Sequence, residues 1–257
     1  MTGGQAHRAP PRPRVIFFDV GDTLVRTRGP HADLLAAVAR ECGHDLDAAA
    51  LRALDDHVTA RVAERAQRGR PFTFPPAESR AFWRETYRGF LARLLPPADA
   101  ERVARAYHRL LSSPAGYTRF DDAIPTLARL RADGLRFGVL SNWEAWLPAL
   151  LAETGLAAFF EHVVISGLCG VEKPDRRIFA LALAEGGYRP EEVVYVGDSP
   201  LHDVAPALAA GIRPILLDRS GRARPDLPYR RIATLHELPM SLGLTVADGT
   251  AGAARVT

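Results

Sequence analysis

The sequence predicts an α/β protein in which a Rossmann-like parallel sheet is interrupted by an inserted, all-helical cap. Through most of the chain, short runs of β-branched and aromatic residues alternate with helical patterns, which is typical of parallel strands joined by helices. Between positions 30 and 113, however, the pattern is helical throughout. The 257 residues, 47% of them apolar, are enough for one α/β domain and a smaller inserted one.

The chain begins with a predicted tail and a first strand. Positions 1–13, rich in Gly, Ala, Arg and Pro, are predicted to be a disordered tail. A buried strand follows at about 15–18, because its four residues are β-branched or aromatic. Positions 21–30 are predicted to form a turn and a flap at the mouth of a site.

The insertion is predicted to be a bundle of four helices. Prolines and glycines separate the helical patterns, and Asp47 and Gly69 are suited to begin and end the second helix. The predicted helices cover 31–41, 47–68, 77–95 and 98–111. We therefore expect the cap at 30–113, between the two parts of the α/β core at 14–29 and 114–241.

The alternation of strands and helices resumes near Arg119. The predicted helices cover 121–132, 146–153, 175–185 and 203–210. The predicted strands cover 137–142, 162–166, 193–196 and 214–217. Residues 242–257 are expected to be a frayed tail.

The composition argues against several classes of function. The net charge is only +3 and there is no long basic run, so we expect no nucleic-acid partner. No apolar run approaches the roughly 18 residues of a membrane span, and the N-terminus lacks the apolar stretch of a secretory signal. We therefore expect a cytoplasmic protein without membrane contact. Cys42 and Cys169 form neither a disulfide framework nor a metal-binding spacing.

Polar side chains follow three of the predicted strands. Asp19 comes directly after the first strand, and Ser141 and Asn142 end the strand at 137–142. Asp198 and Asp203 follow the strand at 193–196. Because ligands of open α/β sheets bind outside the carboxyl ends of the strands, we expect these side chains to converge on one site.

Lys173 is the only lysine among 33 basic residues, all the others being arginine. A guanidinium is a planar fork, whereas an ammonium is a compact charge with three donors that fits among oxyanions in a tight pocket. A lysine kept in such an arginine-rich chain therefore indicates a specific role, and we expect Lys173 to join the strand-end side chains.

The ordered set of motifs resembles the haloacid dehalogenase-like (HAD) superfamily of phosphohydrolases. The first motif of that family, an Asp followed four residues later by Thr, matches Asp19 and Thr23, and the Ser or Thr of the second matches Ser141. The Gly-x-x-Lys-Pro-Asp context of the third matches positions 170–175, and Gly-Asp-Ser-x-x-x-Asp matches positions 197–203. The resemblance spans about 14–235. It implies the subfamily with a helical cap between the first and second motifs.

The resemblance implies a Mg²⁺-dependent phosphatase that acts on a small phosphorylated metabolite. Asp19 would attack phosphorus to form an aspartyl phosphate, and Asp19 and Asp198 would bind Mg²⁺ with the backbone carbonyl of Gly21. The predicted catalytic residues are Asp19, Ser141 and Lys173. The predicted substrate-binding residues are Ser141, Asn142, Lys173 and Thr23, of which Thr23 would also hold the loop after Asp19. Asp203 and Ser199 are expected to support these groups from behind, Asp203 by orienting Lys173 or a metal-bound water.

Gly21 departs from the pattern of the family. Its phosphatases usually carry an aspartate two residues after the nucleophile, as general acid and base, and that position is Gly21 here. Asp22 lies one residue further, where its side chain points differently. The proton for the leaving group would then come from water, from Asp22, or from a cap histidine such as His57 or His108.

Three other functions compete with the phosphatase. A phosphonate-cleaving enzyme of the same superfamily needs a cap lysine, and no lysine precedes Lys173. A haloacid dehalogenase carries no metal-binding Gly-Asp-Ser, so the sequence around Asp198 argues against it. A catalytically weak protein that binds phosphate or a partner is the third alternative, and Gly21 is the feature that favours it.

Overall fold

A six-stranded parallel sheet forms the centre of the protein, as the sequence predicts. The computed structural model describes residues 12–221 and 228–244, and the absences noted below concern these residues only. The strands are β1 (Val15–Phe18), β4 (Arg136–Ser141), β5 (His162–Ile165), β6 (Val193–Gly197), β7 (Arg213–Leu217) and β8 (Arg230–Ile232). Their order across the sheet is β5-β4-β1-β6-β7-β8.

β1 lies in the middle of the sheet, between β4 and β6. Phe18, its last residue, pairs with Val139 on one side and with Val196 on the other. After β5 the chain crosses over β1 to start β6, so the strand order reverses beside β1. The strand ends around such a reversal border a crevice in open α/β sheets, and this is where the strand-end polar residues lie.

A two-stranded antiparallel ribbon leads into and out of the helical insertion. It consists of β2 (Val25–Thr27) and β3 (Tyr117–Arg119), and Thr27 pairs with Tyr117. Between the two strands lie α1 (His31–Glu41), α2 (Ala48–Leu51), α3 (Leu54–Gln67), α4 (Pro76–Leu91) and α5 (Pro97–Leu111). The predicted turn and flap at 21–30 thus contains a strand.

Each layer of the protein has its own buried apolar residues. The helical insertion packs around a cluster that includes Leu35, Leu54 and Tyr107. The two faces of the sheet bury two further clusters, because the strands are apolar on both sides. The insertion therefore has a hydrophobic core separate from that of the sheet. The cap boundaries at 30 and 113 stay a prediction.

The remaining helices connect or flank the strands of the sheet. They are α6 (Ala123–Ala132), α7 (Leu147–Glu153), α8 (Ser166–Cys169), α9 (Arg177–Gly186), α10 (Ala205–Ala209) and α11 (Leu238–Ser241). A π-helical turn, Pro200–Val204, precedes α10. No helix of the described residues is both long and apolar enough to span a membrane.

The structure differs from the sequence-based prediction at several elements. The single helix predicted at 47–68 is divided into α2 and α3, where Ala53 has ψ near 2°. The helix predicted at 77–95 ends at Leu91, and that predicted at 203–210 begins as the π-helical turn. The short elements α8, β8 and α11 have no counterpart in the prediction. Most of the predicted tails, residues 1–11 and 245–257, lie outside the described residues.

Candidate functional site

A cavity of about 200 Å³ lies at the carboxyl ends of β1, β4 and β6, beneath the helical insertion. The sheet and its loops contribute Asp19, Gly21, Ser141, Asn142, Trp143, Lys173, Asp198, Ser199, His202 and Asp203 to its wall. The insertion contributes Val62 and Phe72. All the predicted site residues except Thr23 therefore line one cavity.

Asp19 and Lys173 form a buried ion pair at the bottom of the cavity. The Lys173 ammonium donates to Asp19 Oδ1 at 2.7 Å, and the Ser141 hydroxyl donates to the same oxygen at 2.9 Å. Burial raises the pKa of Asp19, while the Lys173 ammonium partly offsets this rise. Burial alone would lower the pKa of Lys173, but the carboxylates of Asp19 and Asp203 raise it above its ordinary value. Lys173 therefore remains a cation beside Asp19.

Asp203 and Tyr195 hold the ammonium from the other side. Lys173 Nζ donates to Asp203 Oδ1 at 2.5 Å and to the Tyr195 hydroxyl oxygen at 2.9 Å. The second oxygen of Asp203 accepts from the backbone N–H of Ser199 at 2.8 Å. All three protons of the ammonium thus have acceptors. Sequence reasoning missed Tyr195, whose only signal is an aromatic hydroxyl within the apolar strand β6.

Asn142 holds the backbone of Lys173. Its amide nitrogen donates to the carbonyl of Lys173 at 2.8 Å, and its Oδ1 accepts from the N–H of Lys173 at 2.7 Å. Both polar groups of the side chain are thus used within the protein. Asn142 therefore positions Lys173. It also lines the cavity, and the contact with a substrate expected from the sequence stays a prediction.

Asp198 is the carboxylate of the cavity that lacks a partner among the described residues. Burial, followed by repulsion from Asp19 and Asp203, raises its pKa to about 8. One carboxylate oxygen from each of these three residues lies within 4.8 Å of the others. Both oxygens of Asp203 already accept hydrogen bonds, from Lys173 and from the backbone of Ser199. The carboxylates that can share a cation are therefore those of Asp19 and Asp198. An oxygen-binding divalent ion fits this donor set and would relieve the repulsion.

Thr23 lies behind the cavity wall, whereas Ser199 is part of it. Thr23 is fully buried, and its hydroxyl has no hydrogen-bond partner among the described residues. Its carbonyl accepts from Arg219 at 2.9 Å. The Ser199 hydroxyl oxygen accepts a hydrogen bond from the backbone N–H of His202 at 3.1 Å, which stabilises the turn that follows β6. A direct contact between Thr23 and a substrate has no support in this arrangement.

The groups predicted to replace the missing acid lie elsewhere. His57 Nε2 is 3.0 Å from the carbonyl of Thr86, inside the helical insertion. His108 is buried against Ser112. Asp22 lines a different cavity, which it shares with Asp198. None of the three lines the cavity that contains Asp19.

The roof of the cavity, formed by the insertion, and the turn after β6 contribute three residues that sequence reasoning did not select. Phe72, Val62 and His202 line both this cavity and an adjoining one of about 320 Å³, which extends along the loop at 170–175. The positions of Phe72 and Val62 depend on how the insertion packs against the sheet, and that of His202 depends on the π-helical turn after β6. No local sequence pattern signals either of them.

Two carboxylates of the core fasten the insertion above the cavity. Glu172 accepts from the backbone N–H groups of Phe72 and Thr73 at 3.1 and 3.3 Å, and from the Thr73 hydroxyl at 2.8 Å. The same hydroxyl lies 2.7 Å from that of Ser166. Glu144 accepts from Ser79 in a second contact of this kind. We call the contacts of Glu172 with Phe72 and Thr73 the Glu172 clasp.

The chain is similar in sequence to several known proteins. A family model described as haloacid dehalogenase-like hydrolase matches residues 13–211. The chain is 31% identical to a glyceraldehyde 3-phosphate phosphatase of Pyrococcus furiosus over 90% of this chain and 92% of that protein. It is 35% identical to a phosphoserine phosphatase of Thermus thermophilus over 65% of this chain and 70% of that protein.

The fold is also found among solved structures. The HAD-hydrolase YfnB of Bacillus subtilis superimposes with a TM-score of 0.73 at 20% identity, over 90% of this chain and 99% of that one. Solved haloacid dehalogenases share the fold as well, so the fold alone does not distinguish the two activities. Since the family model covers most of the chain and includes Asp19, Ser141, Lys173 and Asp198, this protein belongs to the haloacid dehalogenase-like hydrolase family.

Proposed function

We propose that this protein is a Mg²⁺-dependent phosphatase that removes phosphate from a small organophosphate through an aspartyl phosphate on Asp19. The chain is a phosphatase of the HAD type, as its relatives named phosphoserine phosphatase and glyceraldehyde 3-phosphate phosphatase are. The observation that carries the proposal is the arrangement of Lys173 and Ser141 on one oxygen of Asp19, next to the unpaired carboxylate of Asp198.

Asp19 is suited to attack phosphorus. Its Oδ1 is held by Lys173 and Ser141, while its other oxygen has no hydrogen-bond partner among the described residues. Attack forms an oxygen–phosphorus bond and expels the alkoxide or phenoxide of the substrate. When a substrate is bound, Lys173 and Ser141 would redirect to the phosphoryl oxygens, where negative charge gathers, the protons that they donate to Asp19 Oδ1 in its absence.

Mg²⁺ would be held by Asp19 and Asp198, with the carbonyl of Gly21 as a further oxygen ligand. When bound, it would neutralise charge on the carboxylates and on the phosphate. Asp203 would not bind it directly, since both of its oxygens are engaged. Asn142 would position Lys173, and Thr23 would act on the loop after Asp19 and not on the substrate.

The helical insertion, about residues 30–113, would act as a cap that selects the substrate. Phe72 and Val62 bring apolar surface to the cavity, and the Glu172 clasp holds Phe72 there. Because the cavity is small, a phosphorylated metabolite of low molecular weight is the expected substrate. The identity of its organic part depends on this roof.

The test is phosphate release from p-nitrophenyl phosphate and a panel of phosphorylated metabolites, with and without Mg²⁺. We expect turnover with Mg²⁺, and a loss of at least about 10³-fold in Asp19→Asn, since the nucleophile is removed. Asp121→Asn, at an exposed position, is the matched control and should keep its activity.

Three results would contradict the proposal. Turnover of phosphate esters that Asp19→Asn leaves intact would remove Asp19 as the nucleophile. Release of halide from 2-haloacids in excess chelator, without phosphatase activity, would favour the dehalogenase. A protein that binds phosphate without turnover would be the catalytically weak alternative.

A further inference from the structure

Hydrolysis of an aspartyl phosphate needs a group that accepts a proton from the attacking water. The residue two positions after Asp19 is Gly21, which has no side chain to do this. A Cβ added to Gly21 would lie 3.4 Å from Trp143 Cζ3, in ordinary van der Waals contact with that ring, which borders the same part of the cavity. The acceptor must therefore come from another part of the cavity wall.

Four described residues of the cavity wall have side chains able to accept a proton, and three of them have other tasks. Asp19 carries the phosphoryl group at this stage, and Asp198 faces it as the proposed partner in binding a cation. Asp203 accepts hydrogen bonds from Lys173 and from the backbone of Ser199. His202 is the fourth, and neither the sequence motifs nor the family match gives it a role.

The ring of His202 is placed at the boundary between the phosphate site and the adjoining cavity. It lines both, whereas Glu172 and Asp175 line only the adjoining one. Its Nδ1 lies 3.3 Å from Ser199 Oγ. With Nδ1–H donating to that oxygen, the lone pair remains on Nε2, for which the described residues offer no partner.

We propose that His202 is the general base that deprotonates the water attacking the aspartyl phosphate, a role that rests on the phosphatase function proposed above. The water oxygen forms a bond to phosphorus, and its proton passes to Nε2 of His202. The bond between phosphorus and Asp19 breaks, and its electron pair returns to the Asp19 carboxylate. Inorganic phosphate leaves, and the imidazolium then gives its proton to solvent.

The surroundings of His202 favour the neutral ring that a base requires. Burial and then the nearby Lys173 ammonium lower the pKa of His202, and the Asp203 carboxylate opposes this only in part. A ring that is mostly neutral at neutral pH accepts a proton readily but is a poor general acid. His202 would therefore assist the second step and give little help to the leaving group in the first.

The two steps can be separated with p-nitrophenyl phosphate, whose phenolate leaves without a proton. Rapid mixing records p-nitrophenolate during formation of the phosphoenzyme, and the steady state reports its hydrolysis. In His202→Asn, which can keep a hydrogen bond to Ser199, and in His202→Gln, we expect a stoichiometric burst at nearly the wild-type rate. The following steady state should be slower by about 10²–10⁴-fold, the usual contribution of a general base.

Phosphoenzyme should accumulate in these variants, as measured by mass spectrometry after acid quench, and added imidazole should speed its hydrolysis. His236→Gln, at an exposed histidine far along the chain, is the matched control and should show neither effect. Unchanged hydrolysis in both His202 variants, or an equal slowing of burst and steady state, would overturn the role of His202. Failure of the phosphatase function itself would appear differently, as absence of phosphate release in the wild type.

Discussion

The position of Lys173 requires the shape of an ammonium group as well as its positive charge. Its ammonium has three protons, and the acceptors are Asp19, Asp203 and Tyr195, at 2.7, 2.5 and 2.9 Å. The residue is buried, so water has little access to replace a lost donor. A positive charge of another shape would therefore not replace Lys173.

We predict that Lys173→Arg loses at least about 10²-fold in kcat/KM although the charge is kept, because a planar guanidinium cannot donate to three acceptors around one nitrogen. The measurement is kcat/KM for a phosphate ester, with thermal unfolding to verify the fold. Arg176→Lys, the converse change at an exposed neighbour, should leave activity unchanged. A Lys173→Arg enzyme as active as the wild type would mean that the site requires only a positive charge.

Site residues that lie at the ends of strands could be predicted from the sequence, whereas site residues that are placed by packing could not. Asp19, Ser141 and Asp198 line one cavity because parallel strands end at the same edge of a sheet, and Lys173 joins them from the loop at 170–175. Tyr195 reaches Lys173 only because of the way β6 faces this loop. His202 lines the cavity because of a π-helical turn that no residue pattern predicts.

At the level of elements, the Glu172 clasp joins the roof of the cavity to the loop that carries Lys173. Glu172 is the residue before Lys173, and Thr73 follows Phe72, which lines the cavity. Burial raises the pKa of Glu172, while hydrogen bonds from Thr73 and Phe72 partly offset this. Loss of these bonds would leave a half-buried carboxylate without its donors.

We predict that Thr73→Val, which removes the hydroxyl at nearly constant volume, frees the loop around Phe72. A hydrogen bond to a charged group contributes about 1.5–3 kcal/mol, so opening of the loop should become at least about tenfold more frequent. Hydrogen exchange of the Phe72 and Thr73 amides should accelerate, and KM should rise more than kcat falls. Thr118→Val on β3 is the control, and equal exchange in both proteins would exclude the clasp as a restraint.

Long or strongly apolar elements could be predicted well, whereas short ones could not. The helix His31–Glu41 and the strand Val15–Phe18 have the predicted limits, because their patterns are bounded by proline, glycine or charge. The four-residue helices α8 and α11 and the three-residue strand β8 have too few residues for a period to appear. The break between α2 and α3 at Ala53 has no sequence signal, since alanine favours a continuous helix.

At the scale of the whole molecule, the fold brings segments that are far apart in sequence to one cavity. Their carboxylates lie close together there and repel one another. Asp19 and Asp198 come from neighbouring strands, and the pKa of Asp198 near 8 means that without a cation it binds a proton at neutral pH. Because this pKa is raised above the ordinary 3.8, the contribution of Asp198 to the free energy of unfolding falls as pH rises from about 4 to about 8. A cation at this site would compete with that proton.

We predict that Mg²⁺ binding tightens as pH rises from about 6 to about 8, by up to tenfold per pH unit, because one proton is displaced from Asp198. Titration calorimetry in buffers of different ionisation enthalpy would measure the released proton, and thermal unfolding would show a larger Mg²⁺-dependent shift at the higher pH. Asp198→Asn should abolish this pH dependence. A Mg²⁺ affinity independent of pH would contradict the assignment of Asp198.

The whole-molecule architecture followed from the alternation of strands and helices, but the order of the strands did not. The sequence indicates a parallel sheet and an interrupting helical region, and both are present. Which strand lies beside β1 is decided by crossover connections and by packing between faces. These are long-range properties that the local residue pattern does not contain.

The antiparallel ribbon of β2 and β3 has a consequence for how such proteins can diversify. The chain leaves the sheet region through Thr27 and returns through Tyr117, and these two residues are paired neighbours. The segment between them could be exchanged for another one whose two ends lie as close together as paired strand residues. The path of the chain through the sheet would not change. Such an exchange would alter the surface above the cavity while Asp19, Ser141, Lys173 and Asp198 remain on the sheet side of it.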